Sequence, residues 1–211
     1  MSGFLITVEG GEACGKSTQV ARLKQRLENA NHPVITVHEP GYTAIGQTLR
    51  HLLLHARESA QMLPETELLL FGASRAQLVG EVIRPALMSG KIVVCDRFSD
   101  STTVYQGIAR GLSAKFIDRL NSFVTGGLKP ALTILLDLDS ATARQRRLRR
   151  VRPVGSSDRM EAQTEEFFEK IRAGYLEVAR REPVRIRVID AARTEDEVEA
   201  AIWNEIHGLL G

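Results

Sequence analysis

Residues 4–27 read FLITVEGGEACGKSTQVARLKQRL, and the fold class follows from them. Phe4 to Val8 is an apolar run of strand length. Gly10 to Ser17, GGEACGKS, is a full match to G-x-x-x-x-G-K-[ST]. Val20, Leu23 and Leu27 then recur at helical spacing. Strand, glycine loop and helix in this order make a phosphate cradle. Glycines let backbone N–H groups turn inward around phosphate oxygens, and the helix N-terminus adds roughly half a positive charge. In such a loop Lys16 reaches the β- and γ-phosphates of a nucleotide, and the Ser17 hydroxyl binds Mg²⁺. Gly10, Gly11, Glu12, Ala13, Cys14, Gly15 and Thr18 complete the expected ATP-binding stretch. Cys14 reads as a small residue filling a tight turn.

Outward from this unit, strand-like and helix-like segments alternate. Strands are expected at Val34 to Val37, Ile92 to Cys95, Leu132 to Leu138 and Arg185 to Ile189. Helices are expected over 43–56, over 65–84 with Pro85 kinking it or opening a short extra turn, and over 99–125 with an interruption near Gly111. Ser140 is the expected cap of the next helix, followed by helices over 160–181 and after Thr194. Thr194 and Glu197 have capping-box spacing, and Val198, Ile202, Ile206 and Leu209 give the last helix its apolar face. Alternation of this kind predicts a parallel α/β sheet of the P-loop NTPase type, with five strands and helices on both faces.

The chain has 211 residues, enough for about one domain at roughly 150 residues per domain. Hydrophobic residues make up 43% and charged residues 26%, values of an ordinary globular protein. No apolar run approaches the roughly 20 residues of a membrane span, and no signal peptide is evident. Two cysteines without metal or redox spacing exclude a disulfide framework and fit a reducing cytoplasm. The net charge of +2 does not suggest a nucleic-acid binder. His51 and His55, four apart on a helix, read as a solvated face.

A phosphate loop does not by itself separate motors, switches and small-molecule kinases. A GTPase should carry N-K-x-D, and none is found. The segment VVCDRF, residues 93–98, places an acid and a cation at the carboxyl end of a buried strand, where ligands bind in open α/β sheets. Asp96 can hold Mg²⁺ through water, and Arg97 faces an anionic acceptor. Arginine is dense over residues 144–159, with Asp158 the only acid. This stretch flanks Pro153 and Gly155 and reads as a mobile lid at about 144–160. Phosphoryl transfer between two phosphate-bearing substrates needs positioning and charge neutralisation above all. An acceptor phosphate monoester, with a second pKa near 6, is already mostly a dianion and needs no general base.

Glu9-Gly10 leading into the loop, then EPG at 39–41, Phe71-Gly72-Ala73-Ser74-Arg75, DRFSDSTTVYQG at 96–107, Asp158-Arg159, Phe167-Phe168 and Tyr175 follow in one order. With these segments the chain resembles the thymidylate kinase family in its bacterial form, over nearly its whole length. The resemblance implies a single nucleoside-monophosphate kinase domain over 1–211, transfer from ATP-Mg²⁺ to dTMP giving dTDP on the way to dTTP, and a homodimer in the cytoplasm. It implies that Phe71 stacks on thymine and Arg75 hydrogen-bonds the base. Arg97 would grip the dTMP phosphate with help from Arg50. Ser101, Tyr105 and Gln106 would line the base and sugar pocket, and Glu12 would meet the 3′ end of the sugar. Some relatives carry a catalytic arginine inside the loop, where this chain has Ala13. The lid would then supply it from Arg146, Arg150 or Arg159.

Two departures stand out. Tyr42 replaces the glycine that usually follows EPG, and Pro130-Ala131 replaces Pro-Asp. Two other readings stay open: a kinase of another nucleoside monophosphate, and a non-catalytic P-loop module that binds nucleotide or nucleic acid.

Overall fold

The computed structural model describes residues 3–149, 159–160 and 163–210. Five strands, β1 (Leu5–Gly10), β2 (Val34–His38), β3 (Ile92–Asp96), β4 (Leu132–Asp137) and β5 (Ile186–Asp190), form one sheet. Its order is β2-β3-β1-β4-β5, and every pairing is parallel. All six residues of β1 are buried, as expected for a strand at the centre of a sheet covered on both faces.

Side chains of alternate strand residues feed opposite cores. On one face Ile6, Val8, Val94, Ile134 and Leu136 pack under α1 (Lys16–Asn29) and α9 (Glu195–His207). On the other, Leu5, Val93 and Cys95 pack against the long helical run that starts at Pro64, while Leu135 and Ile186 pack under α8 (Glu165–Arg181). The remaining helices are α2 (Ala44–Leu54), α3 (Pro64–Leu78), α4 (Arg84–Met88), α5 (Ser99–Thr102), α6 (Ala114–Thr125) and α7 (Ser140–Arg149).

The expected elements are present, with local differences. Pro85 opens a short further helix, one of its two expected effects. A π-helical turn, Val79–Ile83, joins α3 to α4, and Pro85 sits in the first turn of α4. The wider turn accommodates the missing N–H. The segment after Asp96 is interrupted at Gly111 (φ 76°), but it also contains a π-helical stretch, Thr103–Ala109, that carries Tyr105 and Gln106. Ser140 is not the cap of α7; it is the first helical residue, and Asp139 Oδ1 accepts the Thr142 N–H at 2.9 Å instead. The helix expected from 160 begins at Glu165, because the Thr164 side chain caps it through the Phe167 N–H. The Thr194–Glu197 capping box is formed. Past α9 the chain turns, so Leu210 is buried and Leu209 is exposed.

Candidate active site

The β1 to α1 turn is tightly constrained. Gly10 has φ 143°, and a Cβ there would lie 2.5 Å from the Leu136 carbonyl oxygen and 2.8 Å from Cys14 Sγ. Gly15 caps α1 with φ 91°, in the left-handed region. Ala13 also has a positive φ, 58°. Cys14 is buried and its thiol donates to the Gly11 carbonyl at 3.2 Å. Lys16 Nζ donates to the carbonyls of Gly10 (3.1 Å) and Gly11 (2.6 Å), which hold the ammonium over the loop.

Because β1 pairs with β3 in register Val8 to Asp96, the loop and the Asp96-Arg97 pair emerge side by side. Ser17 Oγ donates to Asp96 Oδ2 at 2.9 Å. One hydroxyl and one carboxylate suit Mg²⁺, which keeps several waters and takes other ligands from substrate phosphates. No group of three or more His, Cys, Asp and Glu placed to hold a metal occurs among the described residues, His51 and His55 included.

Arg97 has φ 69°, unusual for a side chain of its size, so its backbone is held by its surroundings. Nη1 donates to Ser101 Oγ (3.3 Å) and Tyr175 OH (3.2 Å), and Nη2 donates to Glu12 Oε1 (3.0 Å). The guanidinium lies 5.1 Å from the Tyr105 ring centroid. Beneath it Glu9 is fully buried; burial, aided by the charge of Asp100, pushes its carboxyl up to about 7, against hydrogen bonds that favour ionisation. Burial likewise pushes the Tyr105 and Tyr175 phenols up.

Arg75 is almost fully buried at 1% exposure. It pairs with Glu39 at 2.7 Å and donates to Asn121 Oδ1, Thr102 Oγ1 (both 2.7 Å) and the Phe98 carbonyl (3.3 Å). Burial raises the Glu39 pKa, and Arg75 opposes the shift. Arg50 Nη1 donates to the Pro40 carbonyl at 2.9 Å, and Gly41 (φ 111°) lets the Arg50 chain cross it, since a Cβ there would meet Arg50 Cδ at 2.8 Å.

These groups surround one cavity of about 770 Å³. Of the residues singled out from sequence, Glu12, Ala13, Gly15, Lys16, Ser17, Thr18, Arg50, Phe71, Arg75, Asp96, Arg97, Ser101, Tyr105, Gln106 and Arg146 line it. Gly10, Gly11 and Cys14 do not line it. Arg159 points elsewhere: its Nη2 pairs with buried Glu67, and its Nε donates to the Leu53 carbonyl at 3.2 Å. Glu67 also accepts from Gln106 Nε2 at 2.7 Å and pairs with Arg110 at 3.3 Å. Arg150, and with it most of the expected lid between 150 and 158, lies outside the described residues.

Several lining residues were not expected. His38, Glu39 and Thr102 line the cavity, as does Arg149 from the end of α7. His38 ends β2 opposite Asp96, so the strand-end rule that singled out Asp96 applies to it equally. Burial and the neighbouring Arg50 lower its pKa. Tyr42 packs edge-on against His38, ring centroids 5.7 Å apart, beside the cavity rather than in its lining. Ala131 is exposed at the start of β4, donating its N–H to the Leu5 carbonyl at 2.8 Å, away from the site.

Residues 8–202 match the family described as thymidylate kinase. A thymidylate kinase of Deinococcus radiodurans is 48% identical over 201 residues, covering 95% of this chain and 95% of that protein. One of Syntrophotalea carbinolica is 46% identical over 202 residues, covering 95% and 93%. Among solved structures, the thymidylate kinase of Ehrlichia chaffeensis has a TM-score of 0.79 at 30% identity, covering 98% of this chain and 100% of that one.

The Glu39–Arg75 pair has only 2% of either side chain exposed. Removing one partner of such a pair strands a buried charge. Glu39→Gln is therefore expected to lower the unfolding free energy in urea by about 3 kcal/mol. A loss within about 0.5 kcal/mol, typical of a surface change, would mean that the neutral acceptors around Arg75 suffice.

Proposed function

The chain belongs to the thymidylate kinase family, and on that premise we propose that ATP and dTMP meet in the 770 Å³ cavity for direct transfer of the γ-phosphoryl group. The enzyme is a phosphotransferase that phosphorylates dTMP. One observation carries the mechanistic reading: the phosphate loop, the Asp96-Arg97 strand end and the Phe71, Arg75 and Tyr105 cluster line a single cavity.

On this reading the loop binds the donor phosphates through its backbone N–H groups, with Lys16 at the β- and γ-phosphates. Ser17 and Asp96 would hold Mg²⁺, which supplies charge neutralisation at the phosphates when bound. Arg97 grips the acceptor phosphate with Arg50, Phe71 stacks on the base, and Arg75 hydrogen-bonds it. Tyr105, stacked under the Arg97 guanidinium, closes the sugar side with Ser101 and Gln106, and Glu12 meets the 3′ end. No general base is needed, because the acceptor is a phosphate dianion. Cations then do most of the catalysis. Among the candidate arginines of 144–160, Arg146 has the best support: it lines the cavity, and its Nη2 is steadied by the Ala191 carbonyl at 3.0 Å. The engagement of Arg159 with Glu67 suits an anchor at the end of the stretch.

The test is ADP release from ATP and Mg²⁺ against dTMP, dUMP, UMP, CMP, AMP and GMP. The highest kcat/KM is expected with dTMP. Arg146→Ala is expected to lower kcat by on the order of 10³-fold, by analogy with arginine fingers. Faster turnover with another monophosphate would overturn the base-pocket assignment, and a near-normal kcat for Arg146→Ala would remove that arginine from the transfer step.

We also propose a cytoplasmic homodimer. Two free, buried cysteines fit a reducing compartment, and no helix among the described residues is long and apolar enough to cross a membrane. Ile45 and Leu52 on α2, Leu69 on α3, and Phe116 and Phe123 on α6 are exposed, apolar surface that a second copy can cover. Light scattering at micromolar concentration is expected to give twice the chain mass of 23.3 kDa; a mass of one chain would contradict the dimer.

A further inference from the structure

We propose that Glu9 is a positioning residue that aims Arg97 at the phosphate group of the acceptor, a role that rests on the reading of Arg97 given above. Glu9 stands one residue before the phosphate loop and has no exposed surface. Its two oxygens restrain Arg97 in different ways. Oε1 accepts the Phe98 N–H at 2.7 Å, so it holds the backbone immediately after the left-handed Arg97. Oε2 accepts the Ser101 hydroxyl at 2.6 Å and the Tyr175 hydroxyl at 2.9 Å. Those same two hydroxyl oxygens receive Arg97 Nη1, at 3.3 and 3.2 Å.

The chemistry of the relay follows from its polarity. In its ionised form the carboxylate only accepts and the guanidinium only donates, so neither hydroxyl turns its proton to Arg97; each proton points to Glu9 or, across the 2.8 Å Ser101–Tyr175 contact, to the other hydroxyl. Lone pairs are then left for the guanidinium. One carboxylate thus sets the orientation of two hydroxyls and through them one edge of Arg97. A carboxamide in its place brings an NH₂ donor into the cluster. One hydroxyl must then accept from it, or turn its proton toward Arg97. The neighbouring charges are consistent with this role. Asp100 is held by Arg185 through two hydrogen bonds of 2.7 and 2.8 Å, while Arg97, shared with Glu12, is the cation whose charge favours the ionised form of Glu9. Glu9 touches neither the phosphate loop's Lys16 nor Ser17 through any hydrogen bond among the described residues.

The test compares dTMP with thymidine, which has the same base and sugar but no phosphate, using isothermal titration calorimetry on the full-length enzyme. Glu9→Gln is expected to weaken dTMP binding by about tenfold or more, the scale of one charge-assisted hydrogen bond, while thymidine binding stays within about twofold. Tyr175→Phe, which removes one arm of the relay and leaves the core shape intact, is expected to show the same selective loss at about threefold. If Glu9→Gln does not fold, Tyr175→Phe decides. Parallel weakening of dTMP and thymidine in the variant would reduce Glu9 to a structural part of the core and overturn the proposal, as would unchanged dTMP affinity. Wild-type enzyme that binds thymidine as tightly as dTMP would overturn the assignment of Arg97 itself, a failure visible without any variant.

Discussion

The pairing of β1 with β3, with Val8 beside Asp96, is the constraint on which the cavity depends. It sets the end of one strand, from which the phosphate loop springs, next to the end of another, from which Asp96 and Arg97 project. The 2.9 Å hydrogen bond from Ser17 to Asp96 joins the two. Parallel strands put their carboxyl ends on one edge, so loops that are far apart in the chain converge there. A slip of one residue in this register would turn Asp96 to the other face and separate its carboxylate from Ser17 and the loop.

Around that junction the enzyme repeats one device. Three nearly inaccessible carboxylates, Glu9, Glu39 and Glu67, each hold a side chain that lines the cavity. Glu39 holds Arg75, Glu67 holds Gln106, and Glu9 holds Ser101 and, through it, Arg97. Burying a carboxylate is costly unless donors meet it, and each of these is met by arginines, hydroxyls or amides. The cost is visible at Glu9, whose carboxyl is pushed up to about 7, with burial the largest cause. In return the polar groups that face the cavity are fixed in orientation, which is what phosphoryl transfer by positioning and charge requires.

Much of this was legible in the chain. The glycine loop, its lysine and serine, and the strand-helix alternation are local patterns, and the resemblance to thymidylate kinases reached Phe71, Arg75 and Tyr105. What escaped was non-local or irregular. The order β2-β3-β1-β4-β5 depends on crossovers that periodicity does not report. The π-helical stretch Thr103–Ala109 departs from the 3.6-residue repeat, so no reading of that repeat places Tyr105 and Gln106 on its wall. Arg159 was visible as a cation in a basic stretch, but nothing local singles out its partner Glu67 on the helix expected over 65–84. Glu9, in a strand otherwise apolar at its start, looked like part of a family signature. Only the fold shows that it gathers groups from α5 and α8.

The central claim is that the phosphate loop and the end of β3 work as one unit through Ser17 and Asp96. A double-mutant cycle on kcat for dTMP phosphorylation, with Ser17→Ala, Asp96→Asn and the combined variant at saturating Mg²⁺, tests it most directly. The account predicts strong non-additivity: either substitution alone removes most of the activity that the pair removes, with a coupling of about 1 kcal/mol or more. Effects that add within about 0.5 kcal/mol would show two independent sites and contradict it.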